Sequence, residues 1–189
     1  MHAARGADLH VHTGHRRRGN DAHRESRPTP EVLRGRYEHH HLVVIGPTGI
    51  GKSWLACALG HKACREGFAV LYKRATRLFS DLTQARGEGR LPRLLTTLER
   101  VRLLIIDDWG PEPLTAEQRR DLLEIVDDRY DRGSLLITSQ VPVNRWHEVI
   151  ADPTLADAIL DRIVHRAHRI ELKGPSMRRQ LVAAESPAA

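Results

Sequence analysis

Apolar residues are spread unevenly along the chain. No run of them begins before Leu42, and from there strand-like runs alternate with stretches of helical periodicity. Leu42-Val43-Val44-Ile45 predicts a first strand, and residues 52–65 predict a helix with Trp54, Leu55, Ala58 and Leu59 on one side. Gly67 is a natural helix stop, and residues 68–72 read as a second strand. Residues 75–86 and 92–99 carry helical spacing (Leu78, Phe79 and Leu82, then Leu94, Leu95 and Leu98), divided by Gly87-Glu88-Gly89. Residues 101–107 are the third predicted strand. Thr115 with Gln118 forms a capping box for a helix reaching about Tyr130, stopped by Gly133. Residues 135–139 form the fourth strand, Thr154 with Asp157 opens another helix, and residues 168–172 close the pattern as a last strand. This alternation predicts an α/β fold of three layers, α/β/α, around a mainly parallel five-stranded sheet.

The region before that pattern is different in kind. Residues 1–38 hold many of the histidines, the run Arg16-Arg17-Arg18 and two prolines, with almost no apolar periodicity, and are expected to be a poorly ordered basic arm. His10, His12 and His15 could suggest a metal site, but a solvated histidine-rich arm explains them better, since nothing predicts convergent geometry. Residues 182–189 are expected to be a flexible tail.

Chemistry concentrates where strands end. Gly46-Pro47-Thr48-Gly49-Ile50-Gly51-Lys52-Ser53 fits G-x-x-x-x-G-K-[ST] at every position, between a predicted strand and a predicted helix. Glycines let successive N–H groups turn inward toward phosphate oxygens, and the helix N-terminus adds unpaired donors. Lys52 is then placed to reach the β and γ phosphates, Ser53 to bind Mg²⁺, and Trp54 to continue the nucleotide-binding run. The predicted ligands are ATP and Mg²⁺.

Leu103-Leu104-Ile105-Ile106 ends in Asp107-Asp108, at the sheet edge where open α/β folds bind ligands. Asp107 is the candidate metal ligand and Asp108 the candidate base for an attacking water; an acidic turn is the plainer alternative. Paired acids favour ATP hydrolysis over a metabolite kinase, which must exclude water with a closing lid. At the end of the fourth strand, Gln140 leads Ser139 and Thr138 as a candidate to sit between the second acid and the γ-phosphate.

The formal charge of +6 and the isoelectric point near 9.9 make a polyanionic partner such as DNA reasonable without establishing it. No apolar stretch approaches the roughly 20 residues of a membrane span, which points to a cytoplasmic protein without a membrane partner. Cys57 and Cys64 are seven residues apart on one helix, about 10 Å, too far for a disulfide, and are expected to be buried thiols.

The stretches GPTGIGKSWLACALGHKACREG, LLIIDDWGPEPLTAEQRRDLLEIVDDRY and LLITSQVPVNRWHEVIADPTLADAILDRIVHRAHRIELKGPSMR resemble the IstB-like ATP-binding proteins, helper ATPases of insertion-sequence transposition within the initiator clade of AAA+ ATPases. The resemblance spans about residues 39–181. It implies a P-loop NTPase (AAA+) fold and an ATPase that multimerises on double-stranded DNA and stimulates the transposase of its own element. A loader-like adaptor using ATP as a switch is the alternative. It also implies a trans-acting arginine finger at Arg162, against the plainer reading of a helix arginine paired with Asp161 or Asp157, and a γ-phosphate-reading arginine at Arg178. DNA-facing cations are expected at Lys73, Arg74, Arg77, Arg86 and Arg90, although a solvated helix face explains these charges nearly as well. Members of the family carry a helical N-terminal domain that residues 1–38 do not resemble, which raises the hypothesis of a degenerate copy with this stretch read out of frame. Translating the upstream nucleotides in all frames tests it.

Overall fold

A computed structural model describes residues 40–165 and 167–177. The chain runs β1 (His41–Ile45), α1 (Lys52–Arg65), β2 (Val70–Arg74), α2 (Ala75–Gly87), α3 (Leu91–Arg100), β3 (Leu103–Trp109), α4 (Ala116–Arg129), β4 (Ser134–Ser139), a 3₁₀ turn (Val143–Arg145), α5 (Trp146–Ile150), α6 (Pro153–Val164) and β5 (Ala167–Glu171). The strands form one sheet in the order β2-β3-β4-β1-β5, and every pairing is parallel. The expected three-layer fold is therefore present, with a sheet parallel throughout.

Strand alternation builds two cores. Val43, Leu104, Ile106, Leu135 and Ile137 face the helices α2 to α6, whereas Val44, Ile105 and Leu136 face α1 and its Ala56. Gly60 of α1 is needed for this approach, because a Cβ there would lie 2.8 Å from Ile105 Cδ1. The buried face of α1 is consequently Lys52, Ala56 and Gly60, with Leu55 and Leu59 half-buried; Trp54 and Ala58 are exposed, against the sequence expectation. Cys57 is exposed and Cys64 half-buried, so the thiols are not the buried pair that was expected.

Other boundaries move for physical reasons. The second strand starts two residues late, at Val70 opposite Leu103 where β3 begins; Ala69 O accepts from the Arg102 and Leu103 amides, and Phe68 lies outside the sheet and exposed. β2 can hold Lys73 and Arg74 because it is an edge strand. Helix α6 is capped by Asp152, whose carboxylate accepts from Leu155 N at 3.0 Å, rather than by Thr154. The capping box of Thr115 and Gln118 is formed as expected. The 3₁₀ turn and α5 were not foreseen. Trp146, which opens α5, is fully buried and donates from Nε1 to Val141 O at 2.9 Å, so this short helix is held by one anchor rather than by periodicity.

Arg129, at the end of α4, is 1% exposed and donates to the carbonyls of Leu98, Val101 and Ser134, tying α3, the loop after it and β4 together. Among the described residues, no helix is long and apolar enough to cross a membrane. The expected arm over residues 1–38 and the tail over 182–189 lie outside the described residues.

Candidate functional site

The loop after β1 turns through left-handed backbone at Gly49 (φ 81°) and Gly51 (φ 100°). Both glycines are also crowded. A Cβ on Gly49 would meet Ser176 Oγ at 2.2 Å, and one on Gly51 would meet Met177 Sδ at 3.3 Å. Met177 N donates to Gly49 O at 2.9 Å, so the segment after β5 is laced onto the loop. Lys52 opens α1 and is buried; its Nζ donates to Gly46 O at 2.7 Å and Pro47 O at 2.9 Å. Burial holds the Lys52 amine below its ordinary value, opposed by Asp108 and Asp107.

The opposite wall is made by a bulge at the end of β3. Ile106 pairs with Ile137 and Trp109 with Ser139, so Asp107 and Asp108 together oppose the single residue Thr138. The extra residue rotates the two acids apart: Asp107 is 1% exposed, while Asp108, at φ 60°, stands in solvent. The Thr138 hydroxyl pins both, accepting from Asp108 N at 3.0 Å and donating to Asp107. Asp107 also accepts from Ser53 Oγ at 2.9 Å to each oxygen and from Tyr72 Oη at 2.6 Å. Burial, and donation to Asp107, push the Tyr72 phenol well above its ordinary value. Behind the bulge, Trp109 packs against Phe79 and edge-on against Trp146, with Ser139 Oγ donating to Trp109 O at 2.7 Å.

These groups line one cavity of about 470 Å³ that includes Thr48, Lys52, Ser53, Asp107, Asp108 and Gln140. Gln140 bridges its walls: its amide nitrogen donates to Asp108 Oδ1 at 3.2 Å and its oxygen accepts from Thr48 Oγ1. Lys52, Ser53, Trp54, Asp107, Asp108 and Gln140 thus line one cavity, while Ile50 and Pro47 lie in the loop outside its lining. Ser139 is turned away into the strand end, and Thr138 supports the acids from behind. Sequence reasoning missed Tyr72, whose hydroxyl donates to Asp107, and gave Arg74, which lines this cavity from the end of β2, to DNA instead; the available signal was polar residues closing an apolar strand.

The donor set suits a hard divalent cation. Ser53 Oγ and the Asp107 carboxylate supply only oxygen, and that carboxylate is buried among three hydroxyls with no ion pair to a described cation.

Arg162 lies apart from this cavity. It forms an ion pair with Asp127 of α4, and its Nη1 donates to Ala158 O at 2.8 Å; neither Asp161 nor Asp157 is its partner. Arg178 falls outside the described residues. Of the expected DNA-facing cations, Lys73 and Arg77 pair with Asp81, Arg86 with Glu117 and Asp121, and Arg90 with Glu88. Only Arg74 of that set lines the cavity.

The family model for IstB-like ATP-binding proteins matches residues 36–184. The insertion sequence ATP-binding protein y4pL of Sinorhizobium fredii is 63% identical over 141 residues, which is 75% of this chain and 58% of the relative. The ATP-binding protein of insertion sequence IS21 from Pseudomonas aeruginosa is 38% identical over 137 residues, 72% of this chain and 52% of the relative. The chain thus spans little more than half the length of these relatives. Among solved structures, DnaI aligns with a TM-score of 0.65 at 20% identity, over 76% of this chain and 80% of the other. The DnaC helicase loader aligns with a TM-score of 0.60 at 22% identity, over 76% and 85%. At these identities the likeness is one of fold, and that fold is the P-loop AAA+ domain.

Proposed function

The chain belongs to the IstB-like ATP-binding protein family, and from that premise we propose that it is a Mg²⁺-dependent ATPase that assembles on double-stranded DNA as a helper of transposition. The observation that carries hydrolysis is the division of labour at the bulge. One carboxylate is buried against Ser53, and the next stands exposed in the same cavity, tethered by Gln140 to the phosphate loop.

Backbone amides of the loop and the α1 N-terminus bind the β and γ phosphates, and Lys52 exchanges its bonds to Gly46 and Pro47 for bonds to phosphate oxygen. Ser53 and Asp107 would hold Mg²⁺, which screens phosphate charge when bound. Asp108 accepts the proton of a water attacking the γ-phosphate, and Gln140 orients that water or registers loss of the phosphate. Arg162 lies outside the lining of its own cavity, so it acts, on this reading, in the site of a neighbouring copy after leaving Asp127. Arg178 completes the nucleotide contacts.

Sequence-independent DNA binding is supported by the net charge of +6. Its contacts shift from the paired cations to Arg93 and Arg100, exposed one above the other on α3 and without an ion pair to a described residue. Stimulation of the element's transposase and a cytoplasmic location complete the proposal.

The test is Asp108→Asn, assayed for ADP and ATP affinity by calorimetry and for phosphate release in single turnover. Affinity close to wild type with release lowered at least about 100-fold is expected. Unchanged release removes Asp108 as the base. ATP-dependent assembly on DNA that proceeds in the same variant without turnover would favour the loader-like switch.

A further inference from the structure

The sheet has two edges, and they are finished differently. β2 closes one edge with two cations, Lys73 and Arg74, a common guard against pairing with a foreign strand. β5 forms the other edge, and among the described residues no strand pairs with its outer side. Arg169, Ile170 and Glu171 are all exposed there, and Ile170, at 37%, is one of five large hydrophobic side chains left in solvent. Leu172 N donates to Ile45 O at 2.8 Å, and Glu171 stands opposite Ile45 in the parallel register with β1. Alternate residues of a strand turn their backbone groups to opposite sides, so Ile170 and Leu172 turn theirs toward β1 while Arg169 and Glu171 aim theirs at the free edge.

The order of these side chains is self-complementary. Laid antiparallel on a second copy about a two-fold axis at Ile170, Arg169 stands opposite Glu171 and Glu171 opposite Arg169, both as the hydrogen-bonded pairs that their outward backbone groups require. Ile170 then meets Ile170 in the pair between them, where side chains come closest. A register centred on Arg169 or on Glu171 would set like charges face to face, so charge selects one alignment. Glu171 also pairs with Lys173 at 3.3 Å, but both side chains are exposed and such a pair contributes little.

We propose that β5 is a homodimerisation strand: two copies pair their β5 edges antiparallel and join two five-stranded sheets into one through an isologous contact. No residue of β5 lines the nucleotide cavity, and Arg162 lies on α6. The contact is therefore separate from the head-to-tail one that a trans-acting arginine requires, and it needs neither nucleotide nor DNA.

Sedimentation equilibrium of the full-length protein without nucleotide or DNA should show a reversible dimer. Arg169→Glu and Glu171→Arg each make both cross-strand pairs repulsive and should weaken the dimer at least about tenfold. Both substitutions in one chain restore complementarity and should restore the dimer. An equal mixture of the two single variants, each of which repels its own kind, should also associate. Arg162→Ala should leave the dimer unchanged. Circular dichroism checks that each variant keeps its fold. Wild-type protein that stays monomeric up to about 100 μM would overturn the proposal. So would single variants that dimerise like wild type, single variants that stay apart when mixed, or loss of the dimer in Arg162→Ala.

Discussion

Thr138 is fully buried, and its one hydroxyl holds both acids of the bulge through the Asp108 amide and the Asp107 carboxylate. Thr138→Val keeps the branched shape and opens no cavity, so its effect isolates that hydroxyl. It removes one charge-assisted hydrogen bond and leaves one amide donor without its partner, each on the order of 1–3 kcal/mol. Asp107 retains the Ser53 and Tyr72 hydroxyls, and water can approach the amide beside the exposed Asp108, so a net loss of about 2 kcal/mol is expected. For a chain of 189 residues that lowers Tm by about 4–8 °C. Thr138→Ser is the control, because it keeps both hydrogen bonds and loses one methyl, about 1 kcal/mol. Thermal unfolding followed by circular dichroism should rank wild type above serine and serine above valine. Turnover should follow the same order, with the valine variant down at least about tenfold and ADP affinity little changed, since Asp108 loses its aim and the phosphate loop does not. A valine variant as stable and as active as the serine variant would refute the claim that this hydroxyl sets the geometry of the acids.

Arg129→Met should cost about 3–5 kcal/mol, measured by urea unfolding, because three buried carbonyls lose a cationic donor that no aliphatic chain replaces; a loss below about 1 kcal/mol would show that water satisfies them. Lys52 carries a pH signature. Its folded pKa lies below 10.5, so between the two values the unfolded chain holds more protons and stability rises with pH, while at neutral pH the buried ammonium costs stability. A bound triphosphate favours the charged amine, so ATP affinity should fall as pH climbs through the lowered pKa, and calorimetry from about pH 7 to 10 would expose the idea as wrong if the profile were flat. Mixing Arg162→Ala with Asp108→Asn, each inactive alone, should restore turnover if the arginine serves a neighbouring copy; continued inactivity of the mixture at concentrations that permit assembly argues against a trans role.

Much of this architecture was legible along the chain, and the parts that were not share a cause. Gly46 to Ser53 announced a phosphate loop because its chemistry is local: adjacent amides, one lysine and one hydroxyl act within a single turn. The strand–helix alternation was legible because burial repeats with a fixed period, and the Thr115 capping box because it closes within four residues. The exposed face of α1 was misjudged, since apolar Trp54 and Ala58 sit at helical spacing with Leu55 and Leu59 while the sheet below admits only Ala56 and Gly60. α5 escaped notice because five residues are too few to show a period, and its stability comes from Trp146 filling the core. The cations from the end of β2 onward read as a DNA-facing set, yet most find acids that only folding brings near, as Arg86 finds Asp121 across 35 positions.

The same division runs through the site itself. By its residues alone the chain determined the ligand class and the presence of two acids at a strand end. Which acid lies buried against Ser53, and which stands exposed, was decided by an irregularity of pairing: two residues of β3 opposite one of β4, locked by a hydroxyl 31 positions away in sequence. A bulge is a mismatch between two strands, so neither strand carries it alone: the order of the motif named Asp107 and Asp108 for different roles, and only the pairing of β3 with β4 gave them their separate environments.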